Sequence, residues 1–133
     1  MEIDPKYKER QYTMVDTLHF PKVVKGMWRA VNSGPGMGGT AWIAHVDSLD
    51  ICGKTGTAQN PRGADNSVFI CFAPMNDPKI AIAAYVENGG FGAQYAAPIA
   101  SLMVERYLKG TVKRTALEER MKNADLMDRV KHD

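Results

Sequence analysis

The sequence is poor in the residues that metal sites and disulfide scaffolds need. It has two cysteines, Cys52 and Cys71, and three histidines, His19, His45 and His132. There is no CxxC pair and no Cys/His spacing of the zinc type, and the histidines are scattered, so they read as ordinary polar residues and no metal or cofactor is expected. No apolar run approaches the roughly 18 residues of a membrane-spanning helix. The opening stretch MEIDPKYKER lacks the apolar core and small-residue cleavage site of a signal peptide, so no targeting signal is expected in it. Excess charge of one sign is missing as well. The 17 Lys and Arg against 15 Asp and Glu leave +2, with no basic patch interleaved with aromatics, so nucleic acid is not an expected partner.

What remains is 133 residues, 44% hydrophobic and 24% charged, enough for one globular core and no more. Residues 1 to 16 are polar and read as an extended lead-in. Val23, Val24, Met27, Trp28 and Val31 then recur at helical spacing behind Pro21, which suits a first turn, and predict a helix over 20 to 32. NSGPGMGG (32 to 39) ends it as a loop, and 40 to 46 can form a short helical turn. Strands are predicted over 50 to 58, 67 to 74 and 79 to 87, separated by turn-rich QNPRGADN and MNDP, which makes an antiparallel meander. A second helix is expected over 94 to 109. Its stripe is Ala97, Ala100, Met103, Val104, Tyr107 and Leu108, and Gly110 follows its end. The charged remainder, 111 to 133, is either a marginal surface helix or a loose tail.

The chemistry-bearing stretch is GKTGTAQN (53 to 60). A phosphate-binding loop would need glycine at position 48, where Ser48 stands, and a helix after the lysine, where a proline-glycine loop and another strand follow. Nucleotide binding is therefore excluded. Two readings stay open: a plain strand weakened by two glycines, or a strand whose glycines let a ligand lie close to its backbone.

K-T-G is also the third motif of the penicillin-recognising serine enzymes, which carry S-x-x-K, S-x-N and K-T-G in that order. GKTGTAQN, SVFICFAP, NDPKIAIAAYVENGGFG and AAPIASLMVERYL together resemble the C-terminal part of the transpeptidase domain of class B penicillin-binding proteins, most of all the elongation type. The upstream VVKGMWRAVNSG and GGTA are similar too, so the likeness runs from about residue 12 to 110. Asp65-Asn66-Ser67 departs from it, since a histidine is expected in the middle of that run. None of Ser33, Ser48, Ser67 and Ser101 begins S-x-x-K or S-x-N.

The resemblance implies an α+β fold, here a three-stranded antiparallel sheet packed with an N-terminal and a C-terminal helix, in an incomplete transpeptidase domain over 1 to 110 followed by a charged tail over 111 to 133. It implies that Lys54 and Thr57 are catalytic and that Lys54, Thr55, Gly56 and Thr57 bind substrate, a stem peptide ending in D-alanyl-D-alanine or a β-lactam. Lys54 would supply positive potential, Thr55 and Thr57 hydroxyls to a carboxylate, and the Thr57 N–H one oxyanion donor. Gly56 would leave room for substrate, and Gly53 would allow close packing. The chain would be inactive alone for want of the nucleophilic serine. Its parent would be anchored in the bacterial inner membrane with the catalytic domain in the periplasm. A non-catalytic partner-binding module built on the same fold is the alternative. The apolar strand over 79 to 87 would leave a bare edge through which the chain self-associates. Cys52 and Cys71 would lie near each other across the first two strands and read as small buried fillers or, less readily, a disulfide.

Overall fold

The β-branched and aromatic runs form strands, and the helical stripes form helices. A computed structural model of the chain describes residues 4–5, 8–9, 12–34 and 36–127. In order these hold a 3-10 turn at Thr17–His19, α1 at Phe20–Asn32, a 3-10 turn at Trp42–Ala44, β1 at Cys52–Ala58, β2 at Asn66–Ala73, β3 at Ile80–Val86, α2 at Ala96–Lys109 and α3 at Thr115–Lys122. The expected strands appear, each shifted or trimmed by a residue or two. β1 starts late because Ser48 and Asp50 sit at positive φ, 64° and 34°, in the turn that feeds it.

The sheet is the antiparallel meander β1-β2-β3. Ala58 pairs with Asn66, Thr57 with Ser67 and so on to Cys52 with Phe72, while Ser67 pairs with Val86 and Ala73 with Ile80. Directly paired residues share a face, so this register sorts the side chains. One face carries Ser67, Phe69, Cys71 and Ala73 of β2 with Ile80, Ile82, Ala84 and Val86 of β3. It joins Ala96, Ala97, Ala100 and Val104 of α2 in the core. Burying the Phe69 side chain completely contributes about 2 kcal/mol. The other face carries Val68, Ile70 and Phe72 with Ala81, Ala83 and Tyr85, and on it Ile70 is 49% and Tyr85 58% exposed.

The register also separates the cysteines. Cys71 pairs with Gly53, the residue after Cys52, so the two thiols leave opposite faces and cannot bridge in this pairing. Both are buried and free. Burial pushes both thiols up to about 11, helped at Cys52 by the charge of Asp50 and opposed at Cys71 by a hydrogen bond with the Ile82 backbone. They are fillers, not nucleophiles.

The helices differ from their stripes in an instructive way. α2 buries Ala97, Ala100, Ser101 and Val104, whereas Met103 and Tyr107, read above as part of the stripe, are 53% and 63% exposed. The small residues face the sheet because they allow close approach, and the larger ones flank it. Gly110 closes the helix in the left-handed region at φ 73°, as expected. α1 buries only Val31, while Val23 is 60% exposed, so the helix is fixed at its C-terminal end. There the Asn32 amide donates to the carbonyls of Trp28 and Ile51, and the Trp28 indole N–H donates to Asp50.

Past Gly110 the chain continues as α3, packed on α2, so the surface-helix reading of the tail applies through Lys122; residues 128–133 lie outside the described ones. Arg114 fastens this segment. Its Nε donates to Glu105 at 2.9 Å, and its other nitrogens donate to the Ser101 hydroxyl and to the carbonyls of Ile43 and His45. Glu105 is 1% exposed. Burial alone would raise its carboxyl, but the Lys113 N–H and then the hydrogen bond and charge of Arg114, with Lys109 further off, outweigh it and hold the group below its usual value.

Candidate functional site

β1 is an edge strand, and its open side borders a cleft of about 550 Å³ lined by Thr40, Lys54, Thr55, Gly56, Thr57, Phe91, Gly92 and Ala93. All four residues singled out in the KTG stretch are therefore brought to one place. Lys54 and Thr57 are exposed, Thr55 and Gly56 half-buried. The pleat puts Lys54 and Gly56 on one face and Thr55 and Thr57 on the other. The Lys54 ammonium lies along the strand and donates to the Thr55 carbonyl at 2.6 Å. The Thr55 hydroxyl points to that of Thr40 at 3.4 Å. A cation, two hydroxyls and an extended backbone on one strand suit an anionic, extended ligand.

The glycines have distinct reasons. A Cβ at Gly53 would enter the buried Phe69 ring, so this glycine serves packing where the strand enters the site. A Cβ at Gly56 would stand 3.3 Å from the Val68 Cβ, a mild restriction that leaves its ligand side free.

The second wall of the cleft, the loop after β3, was not singled out from the sequence. Gly92 is wedged under β1. A Cβ there would collide with the Val68 carbonyl oxygen and stand 2.8 Å from that of Gly56 and 2.9 Å from the Thr55 Cβ. The glycine-dense NGGFG was the signal available, since such a run after a strand marks close backbone approach as well as a turn.

The Asp65-Asn66-Ser67 run builds this loop. The buried Ser67 hydroxyl donates to the Phe91 carbonyl at 2.9 Å and accepts from the Ala96 N–H at 3.0 Å. The Asn66 side-chain oxygen accepts from the Asn88 N–H, and the Asp65 carbonyl from the Gly90 N–H. The Asp65 carboxylate accepts from the Asn60 N–H and so holds the preceding loop too. Three consecutive residues at the start of β2 thus tie down both loops next to the KTG strand.

A larger cavity, about 770 Å³, lies behind α2 among Leu102, Met103, Arg106, Tyr107, Val112 and Glu118. It also holds a cation and two hydroxyls, those of Arg106, Tyr107 and Thr111, but none of its lining residues belongs to a strand, so it offers no extended backbone edge to a ligand. Among the described residues no group of three His, Cys, Asp or Glu side chains could hold a metal.

The family model of the penicillin binding protein transpeptidase domain matches residues 4–105. The chain belongs to that family. Among its relatives, the peptidoglycan D,D-transpeptidase MrdA of Haemophilus influenzae is 31% identical over 112 residues, which is 68% of this chain and 17% of that protein. The peptidoglycan D,D-transpeptidase PbpA of Mycobacterium tuberculosis is 38% identical over 74 residues, 49% of this chain and 15% of that one. Among solved structures, Pseudomonas aeruginosa PBP2 in complex with WCK 5153 superposes with a TM-score of 0.60 at 32% identity, covering 78% of this chain and 23% of that one. The chain thus spans less than a fifth of the length of these two curated relatives. Its helices and three-stranded antiparallel sheet match fragments of the transpeptidase domain. No described helix is long and apolar enough to cross a membrane.

Proposed function

We propose that the chain forms the carboxylate-binding wall of the active site of a peptidoglycan D,D-transpeptidase and is catalytically incomplete by itself. The supporting observation is the cleft along β1, where Lys54, Thr55 and Thr57 meet the loop of Phe91 and Gly92. In the whole enzyme a serine absent from these 133 residues attacks the carbonyl between the two D-alanines of a stem peptide and expels the terminal D-alanine. It then passes the acyl group to an amine of a neighbouring stem. Lys54 steadies the terminal carboxylate and the developing charge, Thr55 and Thr57 donate hydroxyl hydrogens to that carboxylate, and the Thr57 N–H is one of two oxyanion donors. Gly56 keeps the strand face open. A β-lactam presents the same carboxylate and carbonyl and occupies the same wall. On this reading the parent lies in the bacterial inner membrane with its catalytic domain in the periplasm.

An amide-resolved NMR titration with an acetylated peptide ending in D-Ala-D-Ala tests the wall. Shifts are expected at Thr55, Gly56, Thr57 and Gly92 and should vanish in Lys54→Ala; shifts confined to the cavity behind α2, or none at millimolar peptide, would overturn the assignment. Benzylpenicillin should add no mass to the chain, and a covalent adduct would reveal a nucleophile that the proposal denies. In the complete parent, Lys54→Ala or Thr57→Pro should slow acylation by about 100-fold or more. A partner-binding module of the same fold is the second reading, favoured by the exposed Ile70 and Tyr85 on the outer sheet face.

A further inference from the structure

Thr40 lines the cleft along β1 as an exposed residue between two fixed neighbours. Ahead of it Gly39 packs on the end of α1, where a Cβ would come within 3.2 Å of the Ala30 carbonyl oxygen. Behind it the fully buried Ala41 donates its N–H to the same carbonyl at 2.9 Å. The chain then enters the 3-10 turn Trp42–Ala44, and Arg114 holds the carbonyls of Ile43 and His45. A polar side chain exposed on so fixed a backbone is well placed to serve a ligand. The turn is capped by Ala41 without a side-chain bond, so the local fold makes no use of the Thr40 hydroxyl. The one hydrogen-bond partner of that hydroxyl is the hydroxyl of Thr55, at 3.4 Å.

We propose that Thr40 is a positioning residue for the carboxylate site, acting through Thr55 in a relay of two hydroxyls. The proposal rests on the reading of β1 given above. A threonine hydroxyl has one hydrogen to give and lone pairs to accept, so either member of such a pair can be the donor. In the structure the donor is Thr55. A carboxylate only accepts. When Thr55 turns its hydrogen to one, its oxygen is left to take the hydrogen of Thr40, and the bond between the two threonines reverses without either losing a partner. Thr40 then donates to Thr55, and Thr55 to the carboxylate. The charge at the end of the relay polarises both hydroxyls, and a contact that is long at 3.4 Å has room to tighten. The Thr55 side chain has little freedom to choose another arrangement, because a Cβ on Gly92 would lie 2.9 Å from the Thr55 Cβ. Thr40 thus fixes the direction in which Thr55 offers its hydrogen.

Amide-shift titrations of the 133-residue chain with the acetylated D-Ala-D-Ala peptide test the relay. Thr40→Val keeps the shape of the side chain without its hydroxyl and should bind about 3- to 10-fold more weakly, with Thr40→Ala as a second hydroxyl-free variant. Thr40→Ser keeps the hydroxyl and should bind like the unsubstituted chain. Thr55→Val should also weaken binding, and adding Thr40→Val to it should cost nothing further, because Thr40 acts only through Thr55. In the complete parent, Thr40→Val should raise the concentration of benzylpenicillin that half-saturates acylation and leave the limiting rate unchanged, since the carboxylate is held alike before and during the attack. Full affinity in both hydroxyl-free variants, failure of Thr40→Ser to match the unsubstituted chain, additive losses in the double variant, or a fall in the limiting rate would overturn the relay. The two levels of the reading fail separately. If Thr55→Val binds as well as the unsubstituted chain, the carboxylate reading of β1 falls and the relay with it; if Thr55→Val loses affinity and the Thr40 variants do not, the relay alone falls.

Discussion

The two edges of the one sheet are opposites. The β1 edge carries Lys54, Thr55 and Thr57 and is flanked by Thr40 and by the loop of Phe91, Gly92 and Ala93. The β3 edge carries alanine, isoleucine, tyrosine and valine and, among the described residues, has no strand beside it. A strand edge attracts further chain wherever it is open, so an edge that must receive one particular ligand needs walls, polar side chains and a fixed approach. β1 has these because distant parts of the chain converge on it, and β3 lacks them because nothing described folds back over it. The contrast predicts that substitutions among the residues that wall β1 should cost stability, while those at the exposed positions of β3, Ala81, Ala83 and Tyr85, should cost little.

The largest effect is expected at Gly92. A valine there would have to displace the Val68 and Gly56 carbonyls and the Thr55 side chain, all of them parts of the sheet itself. Gly92→Val should destabilise the chain by more than about 3 kcal/mol in urea denaturation, or prevent folding. A loss within about 0.5 kcal/mol would mean that the loop does not wedge against β1 and that the guarded edge is guarded by something else.

Arg114 comes next, because it holds the Ile43 and His45 carbonyls of the segment that follows Thr40 and neutralises Glu105. Arg114→Ala leaves a buried carboxylate with little beyond the Lys113 N–H and should cost about 2–3 kcal/mol at neutral pH, at the low end for a buried pair because the arginine is partly exposed. The pH dependence has a definite sign. The folded carboxyl of Glu105 is held below its unfolded value, so its contribution is present above the unfolded value and lost as pH falls through the lower folded one. Denaturation midpoints of the parent should therefore fall through the acid range, and Arg114→Ala should flatten that fall. An equally steep fall in the variant would detach Glu105 from it.

Much of this was legible in the sequence. Strand order followed from apolar runs and turn residues, because a meander with short loops has few alternatives. The KTG strand was legible from chemistry, since Lys54, Thr55 and Thr57 alternate along it. What the sequence concealed was long-range. Arg114 and Glu105 look like two charges among many until the helix end brings them together, and Met103 and Tyr107 fit a helical stripe that the sheet has no room for. The cysteines show the limit of register counting: a shift of one residue separates neighbours from side chains on opposite faces.

Ser67 makes the sharpest test of the guarded edge, because its role came from neither the KTG motif nor hydrophobic periodicity. Its hydroxyl is the shared partner of the Phe91 carbonyl and the Ala96 N–H, which joins the cleft loop to the first turn of α2. Ser67→Ala keeps the size and the strand but leaves the buried Ala96 N–H unpaired, while the Phe91 carbonyl keeps the Gln94 N–H, at a cost of about 1–2 kcal/mol. Its distinctive effect should be local. Hydrogen exchange at Gly92 and Ala93 should speed up by more than global stability requires, while β3 amides change only with the global term. Uniform acceleration across all three strands would show that Ser67 supports the fold as a whole and does not specifically brace the wall of the KTG cleft.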